Sequence, residues 1–120
     1  MHELSIAASV VESAQDVAHR LGADRVEAVT LRIGALAGVV ADALRFSFAL
    51  VAEGTALDGA ELVIEEIPAR ARCGGDGGCG TEFAVGSPPA LWCPACARPA
   101  TDVPAGRELE LVEVRVAGSA

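Results

Sequence analysis

Apolar residues recur at Leu4, Ala7, Ala8, Val11, Ala14, Ala18 and Leu21, at intervals of three and four, while Glu12, Asp16 and Arg20 stay off that stripe. Ile6, Val10 and Val17 widen it. This is the period of an amphipathic helix, and it predicts one from about Glu3 to Leu21. Gly22 follows, a residue that takes the left-handed conformation ending many helices at little cost. The S-x-x-E string Ser9–Glu12 has the form of a capping box, but it lies inside the periodic run and marks no start. Beyond Arg25 the period changes. Val29, Leu31 and Ile33 alternate with Thr30 and Arg32, which predicts a strand over Arg25 to Ile33. Gly34 to Gly38 reads as a turn rather than a phosphate loop. Val40, Leu44, Phe48 and Val51 then mark a second helix ending near Gly54. Glu61 to Ile67 reads as a second strand stopped by Pro68, and Glu108 to Val116 as a third. The third strand slips phase between Leu111 and Val112, which suggests a bulge or two buried faces.

Residues 70–106 break from this periodicity. They hold all four cysteines, five of the six prolines and more than half of the glycines. A loop-rich stretch has little apolar surface to offset the entropy of ordering it, so it needs a staple. The expected architecture is therefore an α/β body, residues 1–69 and 107–120, with residues 70–106 inserted as a zinc-ribbon subdomain. In the body two helices pack on a three-stranded, mainly antiparallel sheet. The third strand is expected to pair with the second, the insert being an excursion between them.

A length of 120 residues suits one domain with a small insert. With three Phe, one Trp and no Tyr, the core must be built mostly of Ala, Val, Leu and Ile. No apolar run approaches the ~20 residues of a membrane span. Met1-His2-Glu3 lacks the basic start of a secretory leader, so the expected compartment is the cytoplasm. The formal charge is −8, and all nine bases are Arg. So acidic a chain, with no basic patch, repels phosphate backbones. Neither nucleic acid nor membrane is expected as a partner. No nucleophile–base set, Walker loop or dinucleotide fingerprint is present, so no enzyme activity is expected.

Cys73, Cys79, Cys93 and Cys96 lie within 24 residues of one another. In a reducing compartment such a cluster favours metal over disulfides. Cys93-Pro94-Ala95-Cys96 is a metal knuckle, its two-residue gap letting both sulfurs reach one ion. Cys73 and Cys79 have five residues between them, but Gly74 to Gly78 let that longer loop fold back. Four thiolates suit tetrahedral Zn(II) and fill its coordination sphere, which makes the site structural. A redox dithiol at Cys93–Cys96 and a zinc-ribbon adaptor without other metal chemistry are the competing readings. Only two histidines occur. His19, near the end of the first helix, suits a helix-end role beside the dipole. His2 directly follows Met1. The Met1 α-amine, the His2 imidazole and the backbone nitrogens of His2 and Glu3 can converge on one ion, and planar nitrogen donors suit Ni(II) or Cu(II).

Three blocks carry a family resemblance. Met1-His2-Glu3-Leu4-Ser5-Ile6 resembles the start of the HypA/HybF hydrogenase-maturation nickel chaperones. Arg32-Ile33-Gly34-Ala35-Leu36-Ala37-Gly38-Val39 followed by Ala43-Leu44-Arg45-Phe46-Ser47-Phe48 is similar to a second block. Cys79-Gly80-Thr81-Glu82-Phe83 followed by Cys93-Pro94-Ala95-Cys96 is similar to a third. The blocks stand in family order across essentially the whole chain. The resemblance implies a chaperone that passes Ni(II) toward the large subunit of [NiFe]-hydrogenase and works with a HypB-type GTPase. It implies His2 as the nickel ligand, with Glu3 beside it contributing backbone or side chain. It implies the four cysteines as the zinc ligands, in a domain inserted between two strands of the nickel-binding domain. The family commonly has two residues between its first pair of cysteines; here there are five. The oligomeric state, a homodimer included, is left open.

Overall fold

The computed structural model describes residues 2–74, 79–86 and 89–117. Helix α1 spans Glu3–Arg20. Its buried side chains are Ile6, Ala7, Val10, Val11, Ala14 and Ala18. Leu4 and Leu21, expected on the buried stripe, are more than half exposed at its two ends. The helix closes with a full Schellman pattern. Gly22, at φ +68°, donates to the His19 carbonyl, and Ala23 donates to that of Ala18.

Helix α2 spans Ala41–Ala52 and packs on α1. It turns Leu44, Phe48 and Ala52 inward. α1 contributes the small buried residues Ala7, Ala14 and Ala18, and α2 the large buried residues Leu44 and Phe48. Small side chains on one helix let the other approach closely and fill the space with bulk.

Strands β1 (Val26–Gly34), β2 (Glu61–Ile67) and β6 (Leu109–Val116) form a three-stranded sheet in the order β2-β1-β6. This corrects the expected pairing of the second and third body strands. Seven of the nine β1 residues are buried, and a strand buried on both faces belongs in the middle of a sheet. The bonds Gly34 N–H to Glu108 O and Ala117 N–H to Arg25 O run β6 antiparallel to β1. On the other side, Ala35 N–H donates to Ile67 O and Arg32 pairs with Glu65, so β2 runs parallel to β1. A helical crossover such as α2 is what delivers a parallel neighbour. None of the eight β6 residues is fully buried. The phase slip at Leu111–Val112 therefore reflects a solvent-washed edge strand rather than two buried faces.

The inserted segment carries strands that its sequence does not advertise. β3 (Arg70–Arg72), β4 (Glu82–Ala84) and β5 (Asp102–Ala105) form a second sheet in the order β4-β3-β5. The pairs are antiparallel, with Ala71 opposite Phe83 and Arg72 opposite both Glu82 and Asp102. Ala71 and Phe83 turn inward. On the outer face Arg70 and Arg72 pair with Glu82 at 3.1 and 3.2 Å, and Arg72 also reaches Asp102 at 3.2 Å. Ala69, Ala71, Cys73, Phe83, Val85 and Cys93 make a small core of their own, with Leu36 packed against it.

The chain divides into two compact units. One comprises residues 1–32, 38–65 and 110–120, the other 33–37 and 66–109. Within the second unit the Gly34 turn is pressed against the returning chain. A Cβ on Gly34 would run into the Gly106 carbonyl, and one on Gly106 would sit 2.6 Å from the Ala69 Cα. Leu36 N–H donates to Gly106 O at 2.6 Å in the same place. Glycine is required here by backbone contact rather than by turn type alone.

Candidate metal centres

β3 delivers Cys73 at its end. Cys73 N–H donates to Thr81 O (2.9 Å), and Gly80 N–H donates back to Cys73 O (2.7 Å). Gly80, at φ +76°, turns the chain so that Cys79 meets the other sulfurs. The five-residue gap is thus closed by a pair of backbone bonds at its base. Of the glycine loop expected to fold back there, residues 75–78 lie outside the described residues. The second knuckle is closed by Cys93 N–H to Arg98 O and Ala97 N–H to Cys93 O, both 2.8 Å. Ala97 takes φ +59° to make that turn, the one non-glycine residue with positive φ among those described.

These two turns bring all four sulfurs within 4.8 Å of one another. Cys73 Sγ lies 3.3 Å from Cys96 Sγ, and Cys79 Sγ lies 3.5 Å from Cys93 Sγ. A disulfide would need ~2.05 Å, so the cysteines are free thiols. Tetrahedral zinc with bonds of ~2.3 Å sets its sulfurs about 3.8 Å apart, and the four side chains fit that group. Cys73 and Cys93 are buried, Cys96 is half-buried and Cys79 is exposed.

A backbone hydrogen bond from Cys79 acts to lower the Cys73 thiol. Thiol hydrogen bonding with Cys96, together with desolvation, outweighs it and pushes Cys73 up to about 11. Cys79 goes the other way, to about 6, because the Thr81 hydroxyl, 3.1 Å from its sulfur, and the Thr81 backbone favour its thiolate. The surroundings thus favour the thiolate at Cys79 and the thiol at Cys73.

At the other candidate centre His2 is the N-cap of α1, with extended backbone at φ −85°, ψ 142°. Its carbonyl accepts the first helical hydrogen bond, from Ile6 N–H at 3.2 Å. Its imidazole makes no capping bond and is exposed. Glu3 opens the helix, and its Oε2 accepts from Val40 N–H at 3.1 Å. That bond, first of several causes, holds the Glu3 carboxyl below the usual carboxylate range. Val40 is itself the N-cap of α2, so one side chain ties the starts of both helices together. Met1, expected to supply its α-amine, lies outside the described residues. His19 is exposed in the last turn of α1.

The structure thus brings the four cysteines together in the second unit and places His2 and Glu3 side by side in the first. Sequence reasoning gives Thr81, Ala97 and Val40 no part in either site. Thr81 at least stands inside the Cys79–Phe83 block; Ala97 acts through backbone atoms, as does Val40, which the apolar pattern places on the second helix but which is its exposed N-cap.

An α/β body with a four-cysteine ribbon defines a small metal-binding protein. Residues 1–116 match the family described as "Hydrogenase/urease nickel incorporation, metallochaperone, hypA". The hydrogenase maturation factor HypA of Chloroflexus aurantiacus is 57% identical over 112 residues, covering 93% of this chain and 96% of that protein. The factor of the same name from Streptomyces avermitilis is 46% identical over 115 residues, covering 95% and 86%. The fold is that of the solution structure of the Ni metallochaperone HypA from Helicobacter pylori, with a TM-score of 0.64, 24% identity and 97% of each chain covered. The chain belongs to the HypA family of hydrogenase maturation factors, which are metallochaperones rather than enzymes. No helix among the described residues is long and apolar enough to cross a membrane.

Proposed function

We propose that this protein carries Ni(II) at the N-terminal end of α1 and delivers it for maturation of [NiFe]-hydrogenase, while Cys73, Cys79, Cys93 and Cys96 hold a structural Zn(II). The observation that carries the nickel reading is the state of His2. It is an exposed N-cap whose imidazole is not spent on the helix. The first N–H groups of a helix have no intrahelical acceptor, so the amide nitrogens of His2 and Glu3 can turn to a ligand instead. A bare cation is disfavoured at the positive end of a helix. Two amides that release their protons to solvent as they bind nickel become anions, which that end favours. The Glu3 carboxylate is already engaged with Val40 N–H, which supports the backbone nitrogen of Glu3, rather than its side chain, as the donor. With the Met1 α-amine and the His2 imidazole the set is four nitrogens, a planar arrangement suited to Ni(II). Ligands at an exposed chain end can exchange with those of an acceptor. The acceptor proposed is the hydrogenase large subunit, reached together with a HypB-type GTPase in the cytoplasm. The nickel role is assigned to residues 1–69 and 107–120, and the zinc role to residues 70–106.

Calorimetric titration of nickel into the zinc-loaded protein tests this. His2→Ala should abolish tight nickel binding while zinc stays bound, and a tag before Met1 should weaken it by turning the amine into an amide. Undiminished affinity in His2→Ala would leave a zinc-ribbon adaptor as the better reading.

A further inference from the structure

Helix α2 is apolar on more sides than its packing requires. Leu44, Phe48 and Ala52 are buried, yet Phe46 is 72% exposed and Leu50 54% exposed. These two stand four residues apart, on adjacent turns of one face. Of the twelve helical residues only Asp42 and Arg45 carry charge, and Arg45 Nη1 is engaged with the Leu62 carbonyl at 2.5 Å.

Acids bracket the apolar pair. Asp42 lies four residues before Phe46, and Glu53, the C-cap, three after Leu50. At 100° per residue, Asp42, Phe46, Leu50 and Glu53 fall within an arc of about 80°, with the two acids about 16 Å apart along the axis. Both acids are exposed, and neither enters a salt bridge among the described residues.

The charges select the occupant. If a second copy packed antiparallel about the midpoint of Phe46 and Leu50, Asp42 of each would face Glu53 of the other. Parallel packing would set Asp42 against Asp42. Either arrangement buries like charges in a chain already at −8. We infer that this face docks an amphipathic helix of a different protein, one whose two apolar residues, four apart, are flanked about three turns apart by Lys or Arg. The apolar pair supplies contact area, and the basic residues meet Asp42 and Glu53 and fix the register. This surface is independent of the metal ligands and stands whether or not the nickel assignment holds.

The probe is a synthetic sixteen-residue helical peptide with two leucines four apart between lysines eleven apart. A twin carries glutamate in place of lysine. Titrated into the zinc-loaded full chain, the lysine peptide should shift the amide resonances of Asp42 to Glu53. Phe46→Ser and Leu50→Ser should each weaken binding about tenfold or more. The pair Asp42→Asn/Glu53→Gln should weaken it severalfold and flatten its salt dependence. All four positions are exposed, so the melting temperature and zinc content should not change, and the charge pair tests the inference without touching an apolar group. The glutamate twin should not bind. Equal binding of both peptides, no binding, or shifts confined to other elements would overturn the inference. So would reversible dimerisation of the chain alone, seen by sedimentation and abolished by Phe46→Ser.

Discussion

The two compact units hold themselves together by different means. In the first, Ala7, Val11, Ala14 and Ala18 of α1 and Leu44 and Phe48 of α2 are all buried, and the two helices pack together; burial of hydrocarbon does the work. In the second, the buried core among the described residues is Ala69, Ala71, Cys73, Phe83, Val85 and Cys93. There the metal site and the core are one object. Without a cation that core keeps two buried thiols, Cys73 and Cys93, and Phe83 as its one large side chain among the described residues. A stretch too poor in hydrocarbon to fold alone can still be ordered, provided its few buried groups are ligands.

The largest test of that contrast is metal removal. Purified protein should contain about one zinc per chain, and structural zinc sites contribute on the order of 10–16 kcal/mol to folding. Chelation, or Cys93→Ser, should therefore abolish amide protection over residues 66–109 while leaving α1 and α2 protected in hydrogen exchange. Loss of protection in both units together would show that they are not separately stabilised. The converse variant is Phe48→Ala, which empties space in the first core. It should cost about 3–5 kcal/mol in thermal or denaturant unfolding without loss of zinc.

A smaller effect is expected at Ala97, which holds a left-handed backbone at φ +59° to close the second knuckle. Ala97→Gly should stabilise the second unit by about 1 kcal/mol, read as slower zinc loss to a chelator. The smallest concerns two carboxylates, one in each unit. Glu3 is lowered chiefly by the Val40 N–H, and Glu82 chiefly by its hydrogen bonds from Arg70 and Arg72. A depressed carboxyl contributes stability above its ordinary pKa and loses it as pH falls through the lowered value. Both contributions should therefore fade only below about pH 4. High salt should raise the Glu82 titration midpoint toward the ordinary range, because salt screens its arginines, and leave Glu3 nearly unmoved. Carboxylate NMR titrations at low and high salt measure both.

The first unit was the more legible in sequence for the same physical reason that it is stable. Hydrocarbon burial leaves a period in the chain, and α1, α2, β1, β2 and β6 all fall within about two residues of where their patterns place them. Strand order left no such mark. That β1 lies between β2 and β6 follows from its being buried on both faces, Val26 and Ala28 on one side and Val29, Leu31 and Ile33 on the other. The second unit was legible only as chemistry. Cysteine spacing announced a metal group, but β3, β4 and β5 are three or four residues each, too short to show a period. The turns that bring the sulfurs together rest on backbone groups of Thr81, Gly80 and Ala97, which composition does not report.

Trp92 gives the division an optical consequence. It is the one tryptophan in a chain with no tyrosine. It belongs to the second unit, beside Cys93, where it is bridged to Pro99 and left 64% exposed. Both helices belong to the first unit. Indole emission is therefore a signal from the cysteine ribbon alone, while the α-helical part of the ellipticity comes from the two helices of the body. A single unlabelled sample heated once yields two melting curves, one for each unit, and the gap between them measures how far the chain departs from all-or-none unfolding.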